Sequence, residues 1–168
     1  MKLFACFIVF ILFFASCDEQ RKKNFIEPVN WEERRASVER IADLKQASSY
    51  LSVYSEIYQF SDRQTYDLTA TISMRNISST DTMFLMKADY YNTHGDLIRS
   101  YIQKPVYIKP METIEVVIGQ EDKEGGTGAN FIFNWATTPT AHAPVFEAVM
   151  ISTSGQQGLS FTTQGIER

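Results

Sequence analysis

Apolar residues run without a charge from Leu3 to Ala15, give way to the polar stretch Asp18–Lys23, and from Tyr50 onward recur at every second position. The clearest alternation lies at residues 66–74, where Tyr66, Leu68, Ala70, Ile72 and Met74 point one way and Asp67, Thr69, Thr71 and Ser73 the other. A period of two marks a half-buried antiparallel strand. The turn cluster Asn76–Asp81 follows, and then a second alternation that places Phe84, Met86, Ala88 and Tyr90 on one face. Asn92-Thr93-His94-Gly95-Asp96 predicts a hairpin turn in which Gly95 can take a positive φ. With further strands predicted near 50–58, 97–102, 105–109, 113–118, 130–136, 145–153 and 158–163, the total is nine. Pro105 and Pro110 bracket one of these and mark it as an edge.

Ahead of the strands, Asn30-Trp31-Glu32-Glu33 has the form of a capping box, and Trp31, Val38, Ile41 and Leu44 fall on one helical face. A short amphipathic helix is expected up to about Gln46, its apolar stripe packed on the domain or laid at a lipid surface. Short strands at this spacing, with no helical pattern between them, predict an all-β fold. The expected architecture is an immunoglobulin-like antiparallel β-sandwich preceded by a short helix, with a small β-barrel as the alternative. The chain then divides into a signal peptide at 1–16, a polar tether and helix at 17–49, and the sandwich at 50–168.

The basic Lys2, the apolar run and the small Ser16 make the three-part pattern of a secretory signal. The run is shorter than the roughly 20 apolar residues that span a bilayer. Phe14-Ala15-Ser16-Cys17 resembles the lipobox of bacterial lipoproteins. That resemblance implies cleavage ahead of Cys17 and a diacylglycerol thioether on its sulfur, with palmitate among the acyl chains. Each buried methylene contributes roughly 0.8 kcal/mol, so two or more chains hold a protein stably at a membrane. The expected location is the cell envelope, on the periplasmic or surface side.

Cleavage there leaves 152 of the 168 residues, one domain's worth. The tether and helix carry seven charges of each sign, whereas the remainder carries eight basic and thirteen acidic residues. An acidic domain has neither the electrostatic footprint of a nucleic-acid binder nor a polybasic membrane patch. Cys6 leaves with the signal peptide and Cys17 is modified, so thiol nucleophiles, thiolate metal sites and disulfides are not expected.

Two features stand out as candidate chemistry. The loop Gly125-Gly126-Thr127-Gly128-Ala129-Asn130 follows Glu121-Asp122-Lys123-Glu124. Its glycines could turn backbone amides toward a phosphate or carboxylate, or simply make a connection before the strand at Phe131. It lacks the Lys-Ser/Thr of a P-loop, and the preceding acids lack the ligand spacing of a calcium loop. The other is Glu147, set in the apolar run Val145–Ile151 that predicts a strand buried on both faces. A carboxylate buried there needs a cation, backbone amides or a proton; Arg63, Arg75 and Arg99 are the available cations. His94 and His142 stand in predicted loops without clustered ligands, so no metal site and no cofactor are expected.

From Val53 to Phe161 the chain resembles a family of uncharacterised bacterial exported proteins, known only as a domain of unknown function. The resemblance rests on Val53–Tyr58, Asp67–Asn76, Ala88–Tyr91 leading to Gly95, Gly125–Phe131, Glu147–Ile151 and Gln156–Phe161. It implies the fold and the exported setting and carries no activity with it. The sequence therefore favours a non-catalytic, membrane-anchored binding or accessory module, with Gly125, Gly126, Gly128, Asn130 and Glu147 as candidate ligand-binding residues. Its expected partners are the membrane, through the lipid on Cys17, and an envelope protein or glycan. The alternatives are a hydrolase of envelope polymers using Glu147, and a carrier of a small apolar ligand held between the sheets.

Overall fold

The computed structural model describes residues 29–37, 39, 41–153 and 158–168. The expected signal peptide, Cys17 and the polar tether as far as residue 28 lie outside the described residues. The chain is all-β, and its strands are β1 (Lys45–Val53), β2 (Glu56–Gln59), β3 (Ser61–Asp67), β4 (Thr69–Arg75), β5 (Met83–Tyr91), β6 (Leu97–Ile102), β7 (Val106–Ile108), β8 (Thr113–Ile118), β9 (Ala129–Thr137), β10 (Val145–Ser152), β11 (Leu159–Gln164) and β12 (Ile166–Glu167). One sheet has the order β12-β1-β9-β5-β6, with β7 also paired to β5; the second has the order β11-β10-β4-β8. β2 and β3 form a separate hairpin.

The two sheets face each other as an open sandwich rather than a closed barrel, and every strand pair is antiparallel. β4 beside β8 and β5 beside β9 reproduce the B–E and C–F pairings of an immunoglobulin sandwich. The flanking strands are exchanged relative to that frame, since β1 lies beside β9 and β10 beside β4. β11 belongs to the four-stranded sheet and β12 to the other, so the segment Leu159–Glu167 crosses between them at Gly165, whose amide donates to Phe146 O at 2.8 Å.

Alternation in the sequence becomes the core directly in β4, where Ala70, Ile72 and Met74 are buried together with the preceding Leu68. Aromatic rings bridge the sheets. Tyr90 stacks on Phe131 at 4.9 Å, Phe131 on Phe133 at 5.4 Å, and Phe133 on Phe146 of the opposite sheet at 4.2 Å. Trp135 is fully buried, and its indole N–H donates to Ser49 Oγ at 3.0 Å, as a buried polar group must.

Three expectations are corrected. The amphipathic helix does not form among the described residues. Trp31–Arg34 make a turn, Arg35 bridges to Val106, Ala36 N donates to Pro105 O and Tyr107 N donates to Arg34 O, both at 2.9 Å. These backbone groups are taken by the edge strand β7, which leaves none for a helical i−4 ladder. Of the apolar stripe, Ile41 is buried against Phe84 and Ala136, Leu44 packs beside it and Trp31 packs against the main core, while Val38 lies outside the described residues. In β5 the predicted inward set fails because the register slips between Leu85 and Lys87. Met83 and Leu85 face the core ahead of this bulge and Ala88 and Tyr90 after it, while Phe84 lies on the other side. Lastly, β10 buries only Phe146, Ala148, Met150 and Ser152; Val145, Glu147, Val149 and Ile151 line the outer face.

Candidate functional site

The glycine loop connects β8 to β9 at one end of the sandwich. Gly126 takes a φ of +73°, a conformation that side chains with a Cβ rarely adopt, and leads a 3-10 turn over Gly126–Gly128. Thr93, in the β5–β6 turn, donates from both its amide and its hydroxyl to Gly125 O at 3.0 Å, and its hydroxyl accepts from Gly128 N at 2.9 Å. Ser55, between β1 and β2, donates from its amide to Gly126 O at 3.2 Å and from its hydroxyl at 3.3 Å. Gly126 N itself donates to Lys123 O at 3.2 Å. Three connections far apart in sequence are thus tied into one end face. The amides of Gly126 and Gly128, which the sequence offered to an anion, are occupied by this internal bonding.

Gly125 is required by packing rather than by its dihedral angles. A Cβ there would fall 1.9 Å from Tyr90 Oη and 2.8 Å from Ser55 Oγ. Tyr90 is fully buried, and its hydroxyl lacks a geometrically sound hydrogen bond, the adjacent Ser55 hydroxyl being turned to Gly126 O. Burial pushes the Tyr90 phenol up to about 12, against the opposing influence of Ser55. It stays neutral at any physiological pH.

Ion pairs hold the acidic half of the loop. Arg99 of β6 donates to Asp122 at 3.0 Å, to Glu124 at 3.2 Å and to the Tyr101 hydroxyl at 2.8 Å. Burial acts to lower the Arg99 guanidinium, and the hydrogen bonds it donates to Tyr101 and Asp122 outweigh it, holding the group above its ordinary value. Lys123 reaches Asp67 at the end of β3 at 3.0 Å, and that hydrogen bond raises its ammonium. Among the described residues no group of three metal-ligating side chains converges. No helix among them is long and apolar enough to cross a membrane.

Glu147 lies elsewhere. It stands on the outer face of the four-stranded sheet, its side chain 36% exposed, opposite Ser73 on β4 and Gln164 on β11. Arg75 pairs with it at 3.5 Å and also reaches Ser73 Oγ at 3.5 Å and Thr113 Oγ1 at 3.3 Å, while Ser73 donates to Glu115 at 2.9 Å. Of the three cations considered from sequence, Arg75 is the partner. Glu115 and Glu147 flank Ser73 along one row of the outer face of the four-stranded sheet. Asn130 is half-buried on the outer face of the six-stranded sheet, paired with Ser52 and Tyr91. The candidate residues therefore divide: Gly125, Gly126 and Gly128 belong to the end face, Asn130 adjoins it, and Glu147 is on the other sheet. His94 and His142 sit in separate exposed loops.

Sequence reasoning missed Ser55, Tyr90, Thr93 and Arg99, because each acts on a loop between 23 and 71 positions away. It also missed Asp89, a buried carboxylate on β5 that accepts from Ser100 Oγ at 2.7 Å and Tyr91 Oη at 3.3 Å and pairs with Lys87. A cleft of about 250 Å³ lies beside β6, lined by Trp31, Arg35, Tyr101, Gln103 and Lys104 among others.

No curated protein and no solved structure matches the chain. One family model does, over residues 46–167, which takes in every strand but the first residue of β1. The chain belongs to that family, described as a protein of unknown function, DUF3124.

Proposed function

We propose that the protein is a lipoprotein of the bacterial cell envelope, anchored through acyl chains on Cys17, that works as a non-catalytic binding or accessory module. The reading of the anchor rests on the secretory pattern before Cys17 and on Phe14–Cys17. The observation that carries the binding role is the brace joining Ser55, Thr93 and Gly125–Gly128. Segments on which the family resemblance rests meet there, and their hydrogen bonds hold three connections rigid on a β scaffold. Loops fixed by a scaffold lose little entropy when a partner binds, which favours recognition at such an end. The partner class is an envelope protein or glycan.

Two measurements test this. Mass spectrometry of the N-terminal peptide from the protein purified from membranes should find Cys17 first in the chain and acylated; an unmodified Cys17, or retention of residues 1–16, would remove the anchor. Affinity capture from envelope membranes with the full chain should enrich a protein or glycan that a Thr93→Val chain enriches several-fold less. Capture of nothing, or equal capture by both chains, would sink the binding role.

A further inference from the structure

The cleft beside β6 has two walls, and both are held by bonding elsewhere in the fold. One is the N-terminal segment, which contributes Trp31 and Arg35. Its backbone is fastened to Pro105 and Tyr107, and Arg34 is paired with Glu112. The other wall is β6 with its turn into β7, from Ser100 to Lys104. The buried Ile102 and Val106 supply apolar lining. Trp31 and Tyr101 are half-buried and pack against the core, and the Tyr101 hydroxyl accepts from Arg99 at 2.8 Å. The volume of about 250 Å³ lies just below the roughly 300–1,000 Å³ of pockets that take drug-sized molecules, so it suits a single ring.

The polar lining is electropositive in a domain that is otherwise acidic. Arg35 and Lys104 bring two positive charges and Glu32 one negative, which leaves a single positive charge over. Glu32 pairs with one end of the Arg35 guanidinium, a group with five N–H donors. Lys104 is exposed and enters no ion pair among the described residues. Ser100 donates to Asp89 at 2.7 Å, so its oxygen is left as an acceptor, and the buried Asp89 charge is answered by Lys87. Gln103 adds an exposed amide that can both donate and accept.

We propose that this cleft binds one acidic sugar unit, a pyranose ring that bears a carboxylate. The site depends neither on the anchor nor on the brace of the glycine loop. The ring has an apolar C–H face for Trp31, Tyr101 and the Ile102–Val106 lining, and hydroxyls for Gln103 and Ser100. Its carboxylate matches the single excess positive charge and takes N–H donors from Lys104 and Arg35. A phosphate monoester, at about −1.5 to −2, would exceed that charge. A small free carboxylate would use the cations and leave the apolar lining wet, and a neutral sugar would leave the cations unanswered.

The chain's two tryptophans make the test direct, since Trp31 lines the cleft and Trp135 is fully buried with its indole bonded to Ser49. The indole N–H resonances of the full chain are followed by NMR during titration with the methyl glycosides of glucuronic and galacturonic acid. Methyl glucoside, acetate and inorganic phosphate are titrated in parallel. At least one acidic glycoside should shift the Trp31 signal saturably and leave that of Trp135 in place. The neutral glucoside, acetate and phosphate should each bind at least about tenfold more weakly, the effect of losing a charge-assisted hydrogen bond or the ring contact. Lys104→Gln, at an exposed position that does not burden the fold, should weaken the acidic glycoside by about the same factor. Absence of a saturable Trp31 shift with both acidic glycosides would overturn the proposal. So would binding of the glucoside, acetate or phosphate as tight as theirs, or unchanged affinity in Lys104→Gln.

Discussion

Tyr90 and Gly125 are in such close register that a methyl group on one would overlap the hydroxyl of the other, with 1.9 Å between the added carbon and Tyr90 Oη. Because Tyr90 is stacked on Phe131 and fully buried, the ring has no free direction in which to withdraw. Gly125→Ala should destabilise the domain by about 1–3 kcal/mol, the usual range for overpacking. Tyr90→Phe removes a buried hydroxyl that lacks a sound partner, so it should be neutral or stabilising by up to about 1 kcal/mol. The double variant should recover most of the loss. Denaturant midpoints of the four chains close the cycle, and additive effects would contradict this contact.

Thr93 ties the glycine loop to the β5–β6 turn through three hydrogen bonds. Thr93→Val keeps the shape and removes the two made by the hydroxyl. We expect a loss of about 1–2 kcal/mol, with faster amide exchange at Gly128 than in the unaltered chain. Unchanged exchange would show that the loop is held by other contacts.

Arg34 grips Glu112 with both ends of its guanidinium, at 2.7 and 3.0 Å, and fastens the N-terminal segment to the turn ahead of β8. The hydrogen bond from Arg34, helped by the Lys109 amide and opposed by burial, holds the Glu112 carboxyl below its ordinary value. A depressed carboxyl contributes stability that is fully present above the unfolded value of about 4.3 and is lost as pH falls through the folded one. Asp81, held low by the hydroxyls of Thr80, Thr138 and Ser78, adds a contribution of the same sign. Unfolding midpoints measured from pH 7 to pH 3 should fall at the acid end, and less steeply for Glu112→Gln.

Asn76 closes the opposite end of the sandwich. Its amide nitrogen donates to Asp81 O at 2.8 Å, Lys109 O at 3.0 Å and Ile108 O at 3.1 Å, and its oxygen accepts from Ser78 N at 3.0 Å. Asn76→Ala would leave carbonyls and an amide without partners in a buried corner, at a cost of about 2–4 kcal/mol. Calorimetric or denaturant unfolding would read it; a change within about 0.5 kcal/mol would mean that water replaces the side chain.

Glu147→Gln should alter stability by no more than about 1 kcal/mol, because its pairing with Arg75 is open to solvent. A loss of 3 kcal/mol or more would require a far drier environment than the outer sheet face provides.

How much the sequence revealed followed the range of the interactions concerned. β4 was legible because each of its side chains meets one face or the other without interruption. β5 was not, since its bulge answers to Trp135 and Asn134 of β9 rather than to any local signal. The segment around Trp31 carried a helical stripe, yet its backbone was claimed by β7, some 70 positions away. The burial of β10 on both faces was misjudged for another reason: Val149 and Ile151 look like core residues but cover an outer face, where Glu147 still meets one of its expected cations, Arg75. The glycine loop was found, whereas the side chains that give it shape, Ser55, Tyr90, Thr93 and Arg99, came from elsewhere in the chain.

The crossing of Leu159–Glu167 from one sheet to the other also governs when the domain can fold. β1 must find β9 across more than 75 residues of chain, and β12 then returns to β1. Closure therefore awaits β12, and a topology so rich in distant pairings assembles slowly.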